Sequence, residues 1–386
     1  MALREDGAGP STLPQWLARQ ASQRPDEVAV RHKTLGRWQA RSWRDLGSEV
    51  QRLAGALHAR GFTEGAALVI LSRPRPEALL LALAAQSLGG VAVPLDPLLG
   101  REALAALLRG VEPVFLFAET HEELGPLQAL GARLRLLVLG DPRGAAQYRV
   151  EARQRLDYAG LLASQPIPSP LQVGEAVAPA FAFYRLGPGG ALERQALTHA
   201  ALLREARHLL RSQDLGADEE ALAARAFAAG GQARYLLAPW LVAGFRLNFP
   251  ETLATRDNDR QALAPTLVLG TRETYGRLFR QVQARLPAEG SPTRRLVDWA
   301  LAEPQGRAQR WLGDWLVRRR LRRQLGFTRT HAPLLVGEPL EEPARRFFVG
   351  LGLSVRHWPE PADWQRSPAS GAQVPLPAGS AWPAGA

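Results

Sequence analysis

Between Ser42 and Arg60 apolar residues return every third or fourth position, at Trp43, Leu46, Val50, Leu53 and Leu57, so one stripe of a helix faces a core. Ser42 followed by Asp45 has the spacing of a capping box, and the helix is predicted to start at Ser42 and to end at the glycines 61 and 65. The run ALVIL at 67–71 has no polar position to turn toward water, so it reads as a strand buried on both faces. The same alternation predicts a helix over 77–88, a strand at 91–95, a helix over 101–109 and strands at 113–118 and 135–139. Residues 164–172 (SQPIPSPLQ) have no periodicity and read as a connection. Beyond them a strand at 178–184, a Gly-rich loop, a helix over 198–211, strands at 245–249 and 266–269, and helices over 272–286 and 292–302 repeat the pattern. The prediction is an α/β protein with two doubly wound, mostly parallel sheet subdomains and flanking helices, one over 1–165 and one over 173–366. The Pro/Gly/Ala-rich tail at 367–386 is expected to be disordered or loosely packed.

Composition narrows the chemistry. With 386 residues and 46% hydrophobic content the chain can bury a large core, and the absence of cysteine excludes disulfides, thiolate zinc sites and a cysteine nucleophile. The N-terminus lacks the apolar stretch of a signal peptide, and the most apolar window, 78–95, is interrupted by Gln86, Ser87, Gly89 and Gly90; a cytoplasmic protein without a spanning helix is expected. The net charge of +11 is almost wholly arginine, because Lys33 is the single lysine. Anionic lipid, phosphorylated ligands or nucleic acid could answer such a surface. Nucleic acid is not expected, since no recognition motif accompanies the charge. His32, His58, His121, His199, His208, His331 and His357 have no metal-ligand spacing and define no Ser-His-Asp set, so neither a metal site nor a catalytic residue is predicted.

The sharpest charged feature is RAQRWLGDWLVRRRLRRQLG at 307–326. Trp311, Leu312, Trp315, Leu316, Leu321 and Leu325 recur at near-helical spacing, with Arg318, Arg319, Arg320, Arg322 and Arg323 clustered beyond them. Such a helix either packs with a solvated basic face or lies on an anionic membrane surface.

The most informative stretch is FAFYRLGPGGALERQALTH at 181–199, a Gly-rich turn between a strand and a helix. Together with residues 12–46, 73–97, 197–203 and 271–302, in this order, it resembles the N-terminal domain of long-chain fatty acyl-CoA synthetases of the AMP-binding, or adenylate-forming, superfamily. The resemblance covers roughly residues 12–363. It implies that the loop is the family's phosphate loop, Y-T-S-G-T-T-G-x-P-K-G, with Tyr184, Gly187, Gly190 and Thr198 at matching positions and His199 in the closing Thr-His. Arg185, Leu186, Pro188 and Gly189 stand where hydroxyl residues are expected, Glu193 stands for the lysine, and Arg194 for the next glycine. Arg185 and Arg194 are the remaining cations there, but a planar guanidinium does not reproduce an ammonium's geometry. The family's later aromatic-Gly-x-Thr-Glu motif corresponds to RHWPEPAD at 356–363, where Pro359, Pro361, Ala362 and Asp363 fall near its positions, so the motif's Thr and Glu are missing there and Asp363 is left as a substitute acid. Segment 226–234, AFAAGGQAR, does not match the His or aromatic that family members often carry near the acyl pocket.

The resemblance further implies that the lid domain bearing the adenylation lysine is absent, and Lys33 matches no catalytic lysine. The functional expectation is a catalytically inactive acyl-CoA-synthetase-like protein that binds a protein partner or a residual acyl or nucleotide ligand. ATP or AMP and Mg enter only if activity is retained. Two alternatives stay open: a fatty acid–CoA ligase completed by a second polypeptide, and a basic peripheral membrane module.

Overall fold

The structure, a computed structural model, describes residues 9–128, 134–165, 174–302, 306–361 and 363–366. The expected connection at 164–172 lies largely outside these residues, and the expected tail at 367–386 wholly so. Among the described residues the strands are β1 (Val28–Thr34), β2 (Arg37–Ser42), β3 (Ala67–Leu71), β4 (Val91–Leu95), β5 (Phe115–Ala118), β6 (Leu134–Leu139), β7 (Ala152–Asp157), β8 (Pro179–Leu186), β9 (Leu192–Thr198), β10 (Glu220–Leu222), β11 (Arg246–Phe249), β12 (Leu267–Gly270), β13 (Ala332–Val336), β14 (Arg356–Trp358) and β15 (Gln365–Arg366). They form an eight-stranded sheet in the order β15-β9-β8-β4-β3-β5-β6-β7 and a seven-stranded sheet in the order β14-β13-β12-β10-β11-β1-β2. Pairing is parallel except at β15–β9, β8–β9 and β1–β2.

The two-sheet α/β class agrees with the sequence pattern, but the division at 165 and 173 does not follow the sheets. Hairpin β8–β9 joins the sheet built from 67–157, and β1–β2 joins the sheet built from 220–358. The reason is burial: every residue of β4 is buried, so it cannot be an edge, and the apolar Ala180–Phe183 of β8 covers its free side.

The two sheets enclose a shared layer of helices. Leu13–Gln23, Trp43–His58, Pro76–Ser87, His199–Gln213 and the helical stretch 230–243 contribute to one cluster that includes side chains of both sheets. Helix Arg101–Val111 covers the outer face of the eight-stranded sheet, and helices Arg272–Gln283, Arg319–Leu325 and Glu342–Gly350 cover that of the seven-stranded sheet, giving five layers. Helix Pro76–Ser87 is buried almost throughout, which explains its lack of an amphipathic period. Helix Trp43–His58 begins as predicted: Ser42 N–H donates to Asp45 Oδ2 at 2.8 Å and Asp45 N–H to Ser42 Oγ at 3.2 Å.

Two contacts, one aromatic stack and one histidine cap, fasten this middle layer. Trp43 and Trp240, both fully buried, stack with centroids 4.8 Å apart, and the Trp240 indole N–H donates to the Ala29 carbonyl of β1 at 3.2 Å. His199, 1% exposed, accepts the Leu13 N–H at Nδ1 over 3.2 Å and so holds the start of helix Leu13–Gln23. Burial lowers its pKa to about 4.

Two outcomes follow from these contacts. Trp240→Ala is expected to lower unfolding stability by about 3–5 kcal/mol, read as a lower urea midpoint, through loss of buried aromatic area and the cavity left behind. His199 is neutral in the fold and protonates near pH 6.5 when unfolded, so its contribution is present above pH 6.5 and declines as pH falls toward 4. Between pH 7 and 5 this group accounts for about 2 kcal/mol of lost stability; His199→Asn, which keeps an acceptor but does not titrate, is expected to flatten that part of the stability–pH curve.

Candidate functional site

The carboxyl ends of β8, β4, β3 and β5 point in one direction, and the Gly-rich turn lies at the end of β8. The turn closes on itself. Gly187 N–H donates to the Ala191 carbonyl at 2.8 Å and Gly190 N–H to the Gly187 carbonyl at 3.0 Å, while Gly189 and Gly190 adopt φ of +71° and +77°. Those positive φ values require glycine, so Gly189 serves the backbone in a position where a hydroxyl residue was expected. With these two amides bonded internally, the loop has lost donors that an anion would need.

The side chains complete the closure. In β8–β9, Arg185 stands opposite Glu193, and its Nε donates to Glu193 Oε2 at 2.7 Å. The Glu193 carboxylate lies so close over Gly187 that a Cβ there would collide with it. Arg185 also places its guanidinium 4.2 Å from the centroid of the Trp364 ring. A phosphate approaching Gly187 therefore meets a carboxylate already paired with the nearest guanidinium. Breaking that charge-assisted pair forfeits about 1.5–3 kcal/mol before the phosphate gains anything. The residues present do not fit the phosphates of ATP.

Strand alternation separates the remaining sequence candidates. Tyr184 lies on the outer face of the sheet in the cluster with Val93 and Leu95, and Arg194 contacts its hydroxyl; burial raises the tyrosine's pKa. Tyr184 is thus away from Glu193 and Gln195, which share the opposite face of the hairpin. Thr198 caps helix His199–Gln213 by accepting the Ala201 N–H at 3.2 Å, and His199 is the structural acceptor described above. Lys33 is bound in the seven-stranded sheet, where its Nζ donates to the buried Asp259 at 2.5 Å. Of the predicted loop set, Gly187 and Gly190 shape the turn, and Tyr184 and Thr198 have other partners.

A second closure was not legible in the sequence. After β14 the chain crosses from the seven-stranded to the eight-stranded sheet, pairing Gln365 and Arg366 with Arg194 and Glu193. The crossing segment is held at several points. Tyr235 O–H donates to the Pro359 carbonyl at 3.0 Å, the Gly231 N–H donates to Glu360 Oε1 at 3.0 Å, and Gln195 Nε2 donates to the Pro361 carbonyl at 3.0 Å and to Asp363. Burial, then the nearby Glu205 carboxylate, pushes the Tyr235 pKa up to about 12 and keeps its proton for this bond. Gly231 is the second residue of the stretch 230–243, so Glu360 supplies an anion to the first turn of a helix from within the chain. Asp363, the substitute acid of the sequence comparison, lies beside Gln195 and 3.8 Å from Arg234, which is itself paired with Glu205. Gln195 Oε1, beside Gly230, and Arg234 Nε are buried without a partner among the described residues.

Farther along the same edge, a cleft of about 620 Å³ lies between the carboxyl ends of the neighbouring strands β3 and β5 and the segment after β11, lined by Arg73, Arg75, Glu119, Glu122, Glu251 and Arg256 among others. This is the switch point at which open α/β sheets commonly take ligands. Here Arg75 is paired with Glu119 at 2.6 Å and Arg73 with Glu122 at 2.6 Å, so two of its cations are already neutralised.

The arginines of 307–326 do not act as one cluster. Helices Arg307–Gly313 and Arg319–Leu325 are joined by a π-helical turn, Asp314–Arg318. Arg318 is corrected from a surface contact to a buried one: its Nε donates to the Ala300 carbonyl at 2.7 Å, because the turn directs it under helix Pro292–Leu301. Arg322 is paired with Asp314. Arg319, Arg320 and Arg323 are exposed.

Among the described residues no helix is long and apolar enough to cross a membrane. The family model described as AMP-binding enzyme matches residues 17–357. A fatty acid–[acyl-carrier-protein] ligase, MmaC of Mycobacterium marinum, is 29% identical over 116 residues, which are 30% of this chain and 22% of that protein. The adenylation domain of a carboxylate reductase of Mycobacterium chelonae superposes with a TM-score of 0.70 at 18% identity, over 92% of this chain and 58% of that one. A fatty acyl-adenylate ligase of L. pneumophila, solved with acyl adenylate and pyrophosphate, gives 0.63 at 12% identity over 92% and 55%. The chain thus spans little more than half of these structural relatives and under a quarter of that ligase. The match over 17–357, the two-sheet fold and the position of the Gly-rich turn at the end of β8 agree: this chain belongs to the AMP-binding enzyme family.

Proposed function

We propose that the chain is a non-catalytic member of this family, which uses the adenylate-forming scaffold to bind a protein partner or a residual acyl or nucleotide ligand. One observation carries the reading: Glu193 occupies the approach to Gly187 and neutralises Arg185. Glu360 at the Gly231 amide supports it, since a second backbone anion site is filled from within the chain. Self-satisfied donors give a polyphosphate no net gain on binding, and catalysis of adenylation depends on cations and dipoles free to meet phosphate charge. The alternative of a ligase completed by a second polypeptide requires ATP, Mg and the displacement of Glu193.

ATP–pyrophosphate exchange by the purified chain, assayed with fatty acids of several lengths, is expected to be undetectable. Millimolar ATP with Mg is expected to leave the thermal unfolding midpoint unchanged, because its polyphosphate finds the donors already satisfied, and a ligand that does not bind the folded state cannot stabilise it; a residual nucleotide ligand would be a monophosphate. Glu193→Ala uncovers Gly187 and is expected to raise affinity for inorganic pyrophosphate roughly tenfold, about 1.4 kcal/mol. Exchange above background by the unaltered chain would overturn the proposal.

A further inference from the structure

Helix Pro292–Leu301 and the helical stretch 307–325 together expose an aromatic surface. Trp311 and Trp315 are 67% and 60% exposed, and their rings lie parallel within 4° at a centroid separation of 6.5 Å. Leu312, Leu296 and Trp299 are each more than a third exposed as well. The inner side of the same helical stretch is accounted for: Val317 and Leu325 are buried, and Leu321 packs into the outer core of the seven-stranded sheet. The apolar face read from the sequence is therefore two faces, one anchoring the helix and the other turned to solvent.

The π-helical turn sets what accompanies the tryptophans. At roughly 100° per residue, twelve steps of uninterrupted α-helix would swing Arg323 about 120° away from Trp311. A π-turn absorbs one extra residue and reduces that drift to about 20°. Trp311, Trp315, Arg319 and Arg323 consequently form one stripe, with Arg320 beside it. Arg319, Arg320 and Arg323 are exposed and make no hydrogen bond or ion pair among the described residues, whereas Arg318 and Arg322 are engaged.

We infer that this stripe docks the protein on an anionic phospholipid surface, Trp311 and Trp315 entering the headgroup–acyl boundary and Arg319, Arg320 and Arg323 meeting lipid phosphates and carboxylates. Indoles suit that boundary because they join an apolar ring to a polar N–H, and unpaired arginines beside them complement its negative charge. Such docking is independent of whether the chain adenylates anything. It places the protein on the membrane surface, with the helix lying along the plane and not across it.

Co-sedimentation of the full chain with vesicles tests this, using phosphatidylcholine alone and phosphatidylcholine with one third phosphatidylserine. Binding is expected only to the serine-containing vesicles and is expected to weaken with added salt. The variant Arg319→Gln/Arg320→Gln/Arg323→Gln is expected to lose roughly 100-fold in partitioning, and Trp311→Ser/Trp315→Ser to lose binding at every salt concentration. A control with the same charge change on other exposed arginines, Arg37→Gln/Arg149→Gln/Arg153→Gln, is expected to retain most of it. All these positions are exposed or at the rim, and unchanged circular dichroism with an unchanged urea midpoint separates loss of docking from loss of fold. The inference is overturned if neutral vesicles bind equally, if the stripe and control variants behave alike, or if the stripe retains duplex nucleic acid while no vesicle binds.

Discussion

The middle helix layer must be covered on both faces, and this constraint organises the molecule. Helix Pro76–Ser87 has almost no exposed residue, and Trp43 stacks on Trp240 inside the same layer. Neither sheet alone covers it, and neither sheet is contiguous in sequence. The chain therefore passes between sheets after β2, again after β9, and a third time between β14 and β15. Each crossing trades a long loop closure, whose entropic cost grows slowly with length, for complete burial of an apolar layer.

The third crossing connects fold to function. On the way to β9, residues 359–361 lie against the amino end of the helical stretch 230–243 and Gln195, placing Glu360 there, and Asp363 lies beside Gln195. The hairpin they join carries Glu193 over its own turn. The carboxylates of Glu193 and Glu360 thus lie over Gly187 and at the Gly231 amide, both supplied from within the chain. On the proposed reading, groups already satisfied in this way offer little to a polyphosphate.

The basic stretch at 307–326 shows how one local irregularity redistributes a sequence feature. Its charge cluster is uniform on paper, yet the π-helical turn buries Arg318, leaves Arg322 to Asp314, and aligns Arg319 and Arg323 with two exposed indoles. Composition counts all five arginines equally. Packing distinguishes them.

Short-range rules made much of the architecture legible. The Ser42–Asp45 capping box, the wholly apolar runs at 67–71 and 91–95 and the helical period after Trp43 depend on residues within a few positions, and the two-sheet α/β class followed from their order. The replacement of a lysine by Glu193 was equally visible, because it needs only a residue identity and a family position. Which residues share a sheet was not visible, since β8 could complete β4 only through contact across some ninety positions. Nor could the sequence assign Tyr184 to the outer face, His199 to the Leu13 amide or Glu360 to Gly231, because strand direction, burial and a crossing between sheets decide those partners. The sequence by itself determined the elements with a strong local pattern, such as β3, β4 and helix Trp43–His58, and the altered residues of the Gly-rich turn, whereas β1, β2, β9 and β13 were not among its predicted strands. Tertiary structure decided the partners: the β8–β9 register sets Glu193 on Arg185 and over Gly187, and the crossing between sheets brings Glu360 to the Gly231 amide at 3.0 Å, a meeting that local rules cannot specify.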